Sequence, residues 1–211
     1  MRGESLEAAT LGWHGIDGDR RFAFRRLDER GEFPWLTASK LPELVLFTPL
    51  GDGCVRTPEG AELAVLGDEL AAEVSRRFGA RVEMMQLKHG IFDEGTVSVI
   101  ASTTVAELCM RAEVGADVRR FRPNIVVRSN GRAFDEDRWV GRTLRFGDEA
   151  AISVTLRDER CAMVNFDPDD GHTNPAVMKA AVRGNANHAG VYGTVTRIGR
   201  LAVGQRVFLE T

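Results

Sequence analysis

Leu144-Arg145-Phe146-Gly147-Asp148-Glu149-Ala150-Ala151-Ile152-Ser153-Val154-Thr155-Leu156 is the stretch that decides the fold class. It holds a short apolar run, a Gly147-Asp148 turn and a second run rich in β-branched residues, the pattern of two strands joined by a tight connection. The pattern recurs on either side. Leu44–Phe47, Leu63–Leu66, Val82–Gln86, Val97–Ile100, Ile125–Arg128, Val191–Ile198 and Arg206–Leu209 are further candidate strands, and Glu59-Gly60 and Asn130-Gly131 further turns. With 22 glycines among these runs, the chain is expected to be mainly β with a few helices, an α+β protein of barrel-like type.

Three helices are expected to interrupt the strands. Asp68–Phe78 places Leu70, Val74 and Phe78 on one face and has Gly79 just past its end. Thr104–Ala112 opens on Thr104-x-x-Glu107, a capping-box pattern. Asn174–Arg183 has an asparagine cap, Pro175 at its first position and Gly184 beyond it. The weakest patterning lies at Leu87–Glu94, which divides the chain into residues 1–88 and 89–211.

The 211 residues are 43% hydrophobic and 28% charged, with a net charge of −3. That balance gives no electrostatic case for nucleic acid or an anionic membrane. No apolar run approaches the roughly 18–20 residues that span a bilayer, and no apolar leader follows Met1, so a cytoplasmic protein is expected. Cys54, Cys109 and Cys161 are odd in number and lack Cys-x-x-Cys spacing, which argues against disulfides and structural zinc. A cysteine with a task here would act as a free thiolate.

Three stretches could carry chemistry, each with a plainer alternative. Arg119-Arg120-Phe121-Arg122-Pro123-Asn124 sets three guanidiniums at the entry of a strand, suited to gripping phosphate in bidentate fashion; the alternative is a solvated cluster pairing with Asp117 or Glu113. Ser102-Thr103-Thr104 stands at a helix start, where free N–H groups and the dipole favour anions; the alternative is ordinary capping. Arg160-Cys161 puts a cation beside a thiol, which favours the thiolate that binds soft metals; the alternative is a buried small hydrophobe, the reading that also suits Cys109 on a helix's apolar face. Asp167-Pro168-Asp169-Asp170-Gly171 lacks the spacing of a calcium loop and reads as a turn.

In order along the chain, these pieces resemble the MOSC family, named for the C-terminal domain of molybdenum cofactor sulfurases. The resemblance rests on Gly15–Ala23 and Thr37–Leu44 in the N-terminal part. In the C-terminal part it rests on Ser102-Thr103-Thr104, Arg120–Val127, Phe134–Leu144, Arg160–Met163, and Gly190–Gly193 followed by Gly199–Val207. It implies a mixed β-barrel, residues 1–88 being an N-terminal barrel part and 89–211 the MOSC domain, that holds a pterin-based molybdenum cofactor. By the same resemblance Cys161 is the metal ligand and catalytic residue, and Arg122, Asn124, Ser102, Thr103, Thr37 and Lys40 contact the cofactor. Enzymes of this type reduce N-hydroxylated small molecules with electrons from a separate redox protein. The pattern has two departures. The family's first strand, carrying Pro-Val-Lys-Ser, has no counterpart before Met1, which leads us to expect an upstream start. Ser39 stands where enzymatic relatives carry a cofactor-binding arginine. A sulfur-transfer or carrier module using a persulfide on Cys161, and a binding relic without chemistry, are the other readings.

Overall fold

The computed structural model describes residues 1–51, 53–90 and 94–211. In chain order its elements are β1 (Ala8–Gly12), β2 (Gly15–Ile16), β3 (Phe22–Arg26), β4 (Thr48–Leu50), β5 (Cys54–Arg56), β6 (Glu62–Ala64), α1 (Asp68–Phe78) and β7 (Val82–Gln86). Then come β8 (Val97–Ala101), α2 (Ser102–Arg111), β9 (Ile125–Val127), β10 (Thr143–Phe146), β11 (Ala150–Glu159), α3 (Ala176–Asn185), β12 (His188–Arg197), β13 (Gly199–Ala202) and β14 (Val207–Glu210). The chain is therefore mainly β with a few helices, as its patterning implies.

The chain forms two compact units. The first comprises Met1–Glu4, Arg20–Ile91 and Phe166–Thr173, and the second Ser5–Asp19, Phe92–Asn165 and Asn174–Thr211. The weakly patterned stretch Leu87–Glu94 falls partly outside the described residues, at 91–93.

In the first unit β3 pairs antiparallel with β7, from Phe22 opposite Gln86 to Arg26 opposite Val82, and β4, β5 and β6 form a meander. α1 spans the residues its periodicity predicts; Leu70 and Val74 are fully buried, and Gly79 closes it in a left-handed conformation at φ 79°. Arg77 on its last turn is held by Glu43, Glu59 and Glu73 and lies over the buried Phe47 ring, 5.4 Å from its centroid. One expected strand is absent. Leu44–Phe47 lies instead in and just after a 3-10 turn, Pro42–Leu46. Pro42 pre-sets the first turn and lacks an N–H for a ladder. Adjacent Leu44 and Val45 are both buried, which a strand exposed on one face does not allow.

In the second unit the six-stranded sheet runs β14-β10-β11-β12-β8-β9, and β13-β1-β2 form a smaller one. All pairings in the large sheet are antiparallel except β8 with β9, which are parallel and joined through α2. The hairpin read first from sequence is present: Phe146 pairs with Ala150. Gly147 turns it at φ 56°, where a Cβ would run into the Gln205 side chain that donates to the Phe146 carbonyl at 3.2 Å. β8 is buried along its whole length. Val97 and Val99 join a core with Ile152, Val154 and Val191, while Ile100 joins a second core with Leu108 and Cys109 of α2 and Val177 and Ala181 of α3. Burial on both faces explains why Val97–Ile100 reads as an apolar strand.

α2 begins two residues before its expected start. Ala101 is the N-cap without a side-chain cap, and Thr104 is fully buried inside the first turn. No helix among the described residues is long and apolar enough to cross a membrane.

Candidate functional site

β11 ends at Glu159, and the next two residues diverge. Cys161 is exposed, while Arg160 is buried at 8% exposure. Its guanidinium faces Asp158 at 2.8 Å and donates from Nη1 to the Phe121 carbonyl at 2.8 Å and from Nε to the Ala189 carbonyl at 2.7 Å. The Phe121 ring lies 5.7 Å away. Burial pushes the Arg160 pKa down and the Asp158 carboxylate opposes that shift. A buried cation is tolerated only when paired and hydrogen-bonded, and these contacts supply both. Sequence adjacency offered Arg160 as a cation for the thiol; the structure turns it inward.

The partners of Arg160 lead to the other candidates. Phe121 ends a 3-10 turn over Val118–Phe121, and Arg122 follows it in the left-handed region at φ 50°. Asp158 accepts from the Ser98 hydroxyl at 3.0 Å. Ser98 and Asn124 hold each other through backbone and side chain: the Asn124 N–H donates to the Ser98 carbonyl at 2.9 Å, and the Ser98 N–H donates to Asn124 Oδ1 at 3.0 Å. Asn124 Nδ2 then donates to Asp19 at 2.7 Å. Arg122, Asn124 and Cys161 are thus gathered by one network through Phe121, Arg160, Asp158 and Ser98. The three-arginine cluster separates on inspection: Arg119 is tied to Asp117 at 2.6 Å, Arg120 is buried, and Arg122 is half-buried.

The backbone around the thiol is anchored as well. Asn187 accepts the Arg160 N–H at 2.8 Å through its carbonyl and donates to the Arg160 carbonyl at 2.8 Å through Nδ2. The Cys161 carbonyl accepts from Val164 at 3.3 Å in a 3-10 turn over Ala162–Asn165. Asn165 Oδ1 takes the Met178 N–H of α3 at 3.0 Å.

Ser102 and Thr103 are half-buried at the start of α2, and the Thr103 hydroxyl donates to the Arg132 carbonyl at 3.5 Å. They are not beside Asn124. Asn124 bonds Ser98, and Ser102 lies four residues further on, roughly 13 Å at about 3.3 Å per strand residue, so a ligand touching both must be elongated. Glu136 fills the buried side of this helix start: it accepts from the Thr104 hydroxyl at 2.8 Å and the Ala101 N–H at 3.4 Å. Burial raises its pKa above the ordinary range of a glutamate carboxyl. Thr37 and Lys40 belong to the first unit, in a turn where the Thr37 carbonyl accepts from the Lys40 N–H at 3.0 Å; Lys40 and Ser39 are exposed. Cys109 is fully buried, and burial raises its thiol pKa.

Sequence reasoning did not single out Asp158, Ser98 or Asp19 as linking residues. The available signal was Asp158 and Arg160, opposite charges two apart and therefore on one face of a strand whose neighbours are apolar.

The exposed Cys161 thus lies just past the end of β11, in a unit whose six-stranded sheet has one parallel pair bridged by a helix. Residues 86–208 match the MOSC domain, and the chain belongs to that family. Among curated proteins it is similar to mitochondrial amidoxime reducing component 2 of Bos taurus, 30% identical over 129 residues. That match takes in 55% of this chain and 37% of the relative, so the chain spans well under half of its length. Among solved structures it resembles the YuaD protein from Bacillus subtilis, with a TM-score of 0.53 and 15% identity over 99% of this chain and 87% of that one. YiiM from Geobacillus stearothermophilus gives 0.45 at 17% identity, over 56% of this chain and 55% of that one.

Proposed function

We propose that the chain binds a pterin-based molybdenum cofactor and reduces N-hydroxylated small molecules such as amidoximes, taking electrons from a separate redox protein in the cytoplasm. The observation that carries this reading is the exposed Cys161 thiol on a strand end whose neighbour, Arg160, is bonded to the Phe121–Arg122 turn. The donor set suits such a group. A thiolate is a ligand for a soft metal, and a guanidinium at Arg122 with the α2 start at Ser102–Thr103 suits an anionic, elongated partner. Asn124 would orient that partner from a position fixed by Ser98 and Asp19.

When bound, the cofactor would supply two-electron chemistry: with two electrons from the redox partner, the substrate N–O bond would break, one proton completing water from the hydroxyl and a second replacing that hydroxyl on nitrogen. The contribution of this chain is to hold the ligand cysteine and the anion-binding groups at fixed separation.

The test is the molybdenum-to-protein ratio of protein co-expressed with the cofactor pathway, together with benzamidoxime turnover using a chemical electron donor. A ratio near one is expected, and Cys161→Ala is expected to lose turnover at least 100-fold while melting like the parent. Full turnover in that variant refutes the assignment. Exposure of Cys161 also favours a sulfur-carrier reading, which predicts a persulfide adduct on Cys161 by intact mass and no turnover.

A further inference from the structure

Asp158 and Arg160 lie inside the second unit, away from solvent, and touch no exposed surface of the site; they are almost wholly buried. Their bonds nevertheless reach the segments that carry Arg122 and Asn124. Arg160 Nη1 holds the Phe121 carbonyl, the last residue before Arg122. Nε holds the Ala189 carbonyl on β12. Asp158 holds Ser98 on β8, and Ser98 holds Asn124. The ladder between β11 and β12 slips between Arg157 and Glu159, opposite this pair, and a β-bulge of this kind re-aims side chains at a strand end. Across from it Gly190, at φ 87°, leaves a notch: a Cβ there would meet the Val99 carbonyl at 2.7 Å and Arg160 Nη2 at 3.1 Å. A bulge, a left-handed glycine and a buried ion pair all at one strand end are more than packing requires, because an apolar pair would fill the same volume without desolvation cost.

We propose that Arg160, seated against Asp158, is the positioning residue of the site: its guanidinium sets the separation between the Cys161 thiol and the Arg122–Asn124 turn. The planar fork is what the task needs. It reaches two carbonyls on different strands and a carboxylate at once, whereas an ammonium is a compact point charge on a flexible stem. Arg160 touches no reacting atom and acts through the backbone of Phe121 and its own peptide link to Cys161.

This inference rests on the molybdenum-cofactor reading, and its test separates the two. Arg160→Lys, which keeps the charge, and Ser98→Ala, which cuts only the outer link to Asp158, are compared with the parent. In cofactor-free protein, amide exchange is followed at Arg122 and Asn124, with α1 and β11 as internal references. Exchange is expected to quicken at least tenfold at Arg122 and Asn124 in Arg160→Lys and a few-fold at Asn124 in Ser98→Ala, with the references unchanged. In cofactor-loaded protein, Arg160→Lys is expected to lower the molybdenum ratio several-fold and to shift the electron paramagnetic resonance signal of the reduced metal. In the metal that remains, kcat is expected to fall more than KM rises.

Unchanged exchange at the turn in Arg160→Lys overturns the proposal. So does an increase spread evenly over β11 and the turn, the mark of a merely structural role. If Arg160→Lys does not fold, Ser98→Ala decides by the same criterion. If the parent takes up no molybdenum, the proposed function fails while the exchange data still decide whether Arg160 fixes the turn.

Discussion

Arg77 and Arg160 are both arginines with three polar attachments and an aromatic ring beside them, and their surroundings push them in opposite directions. Arg77 gathers three glutamates at the surface, Glu43, Glu59 and Glu73. The hydrogen bond it donates to Glu59 is the leading cause of its raised pKa. Arg160 has one carboxylate and two backbone carbonyls in the interior, and burial lowers its pKa. The first arrangement spreads one guanidinium over three carboxylates, two of which, Glu43 and Glu59, are well exposed to solvent, so it contributes to stability in small screened increments. The second lies in the interior with a single carboxylate, and loss of Asp158 leaves a charge away from water without its counter-charge. Surface clusters of this type fasten a helix, whereas a buried fork fixes where other groups stand.

The largest effect should come from breaking the buried pair. Asp158→Ala leaves Arg160 without its carboxylate and should cost about 3–5 kcal/mol of unfolding free energy, read from chemical denaturation. A loss below about 1 kcal/mol would place Arg160 in the same category as Arg77 and dissolve the contrast.

An intermediate effect should appear at Glu136, the buried carboxyl at the start of α2. Its folded pKa is raised above 4.5, so the folded chain holds this proton more tightly than the unfolded one. The associated stability is fully present below the unfolded pKa and is lost as pH rises through the folded value. Glu136→Gln should therefore flatten the decline of the melting midpoint as pH is raised from 4.5 towards neutrality, whatever its offset in absolute stability. A slope identical to the parent's would show that the carboxyl is not held neutral.

The smallest effect belongs to the surface cluster. Glu73 and Glu59 have lowered pKa values, through hydrogen bonds from Arg76 and Arg77 for the former and from Arg77 for the latter. Their contribution is present above the unfolded pKa and fades as the folded carboxylates protonate in acid, the opposite sense to Glu136. Glu59→Gln should leave the melting midpoint nearly unchanged, and salt near 1 M should erase what difference there is. A large, salt-insensitive loss would mean that Arg77 does at the surface what Arg160 does in the core.

Much of this was legible in the residues, though unevenly. α1 and β7 match their predicted spans because periodicity and the terminal Gly79 act locally, and β8 announced itself by a β-branched run broken only by Ser98. β1 was not visible, since Ala8-Ala9-Thr10-Leu11-Gly12 has weak strand character and owes its state to pairing with β13, some 190 residues distant. Thr104-x-x-Glu107 resembles a cap, but tertiary contacts to Glu136 and Phe134 recruit the Thr104 hydroxyl instead. Cys109 is buried on the apolar face of α2, as its place in the helical pattern implies, and Cys161 is exposed. The task of Arg160 was hidden, because a side chain's direction at a strand end depends on a bulge that the sequence does not mark.

Arg122 carries a consequence for attempts to stabilise the protein. A residue with a Cβ held at φ 50° sits about 1 kcal/mol above a relaxed conformation, and glycine would occupy the spot without that strain. Selection for heat resistance alone would favour Arg122→Gly. On the proposed reading, in which Arg122 contacts the cofactor, a thermostabilisation campaign that ignores function should reach that substitution early and weaken cofactor uptake without disturbing the fold.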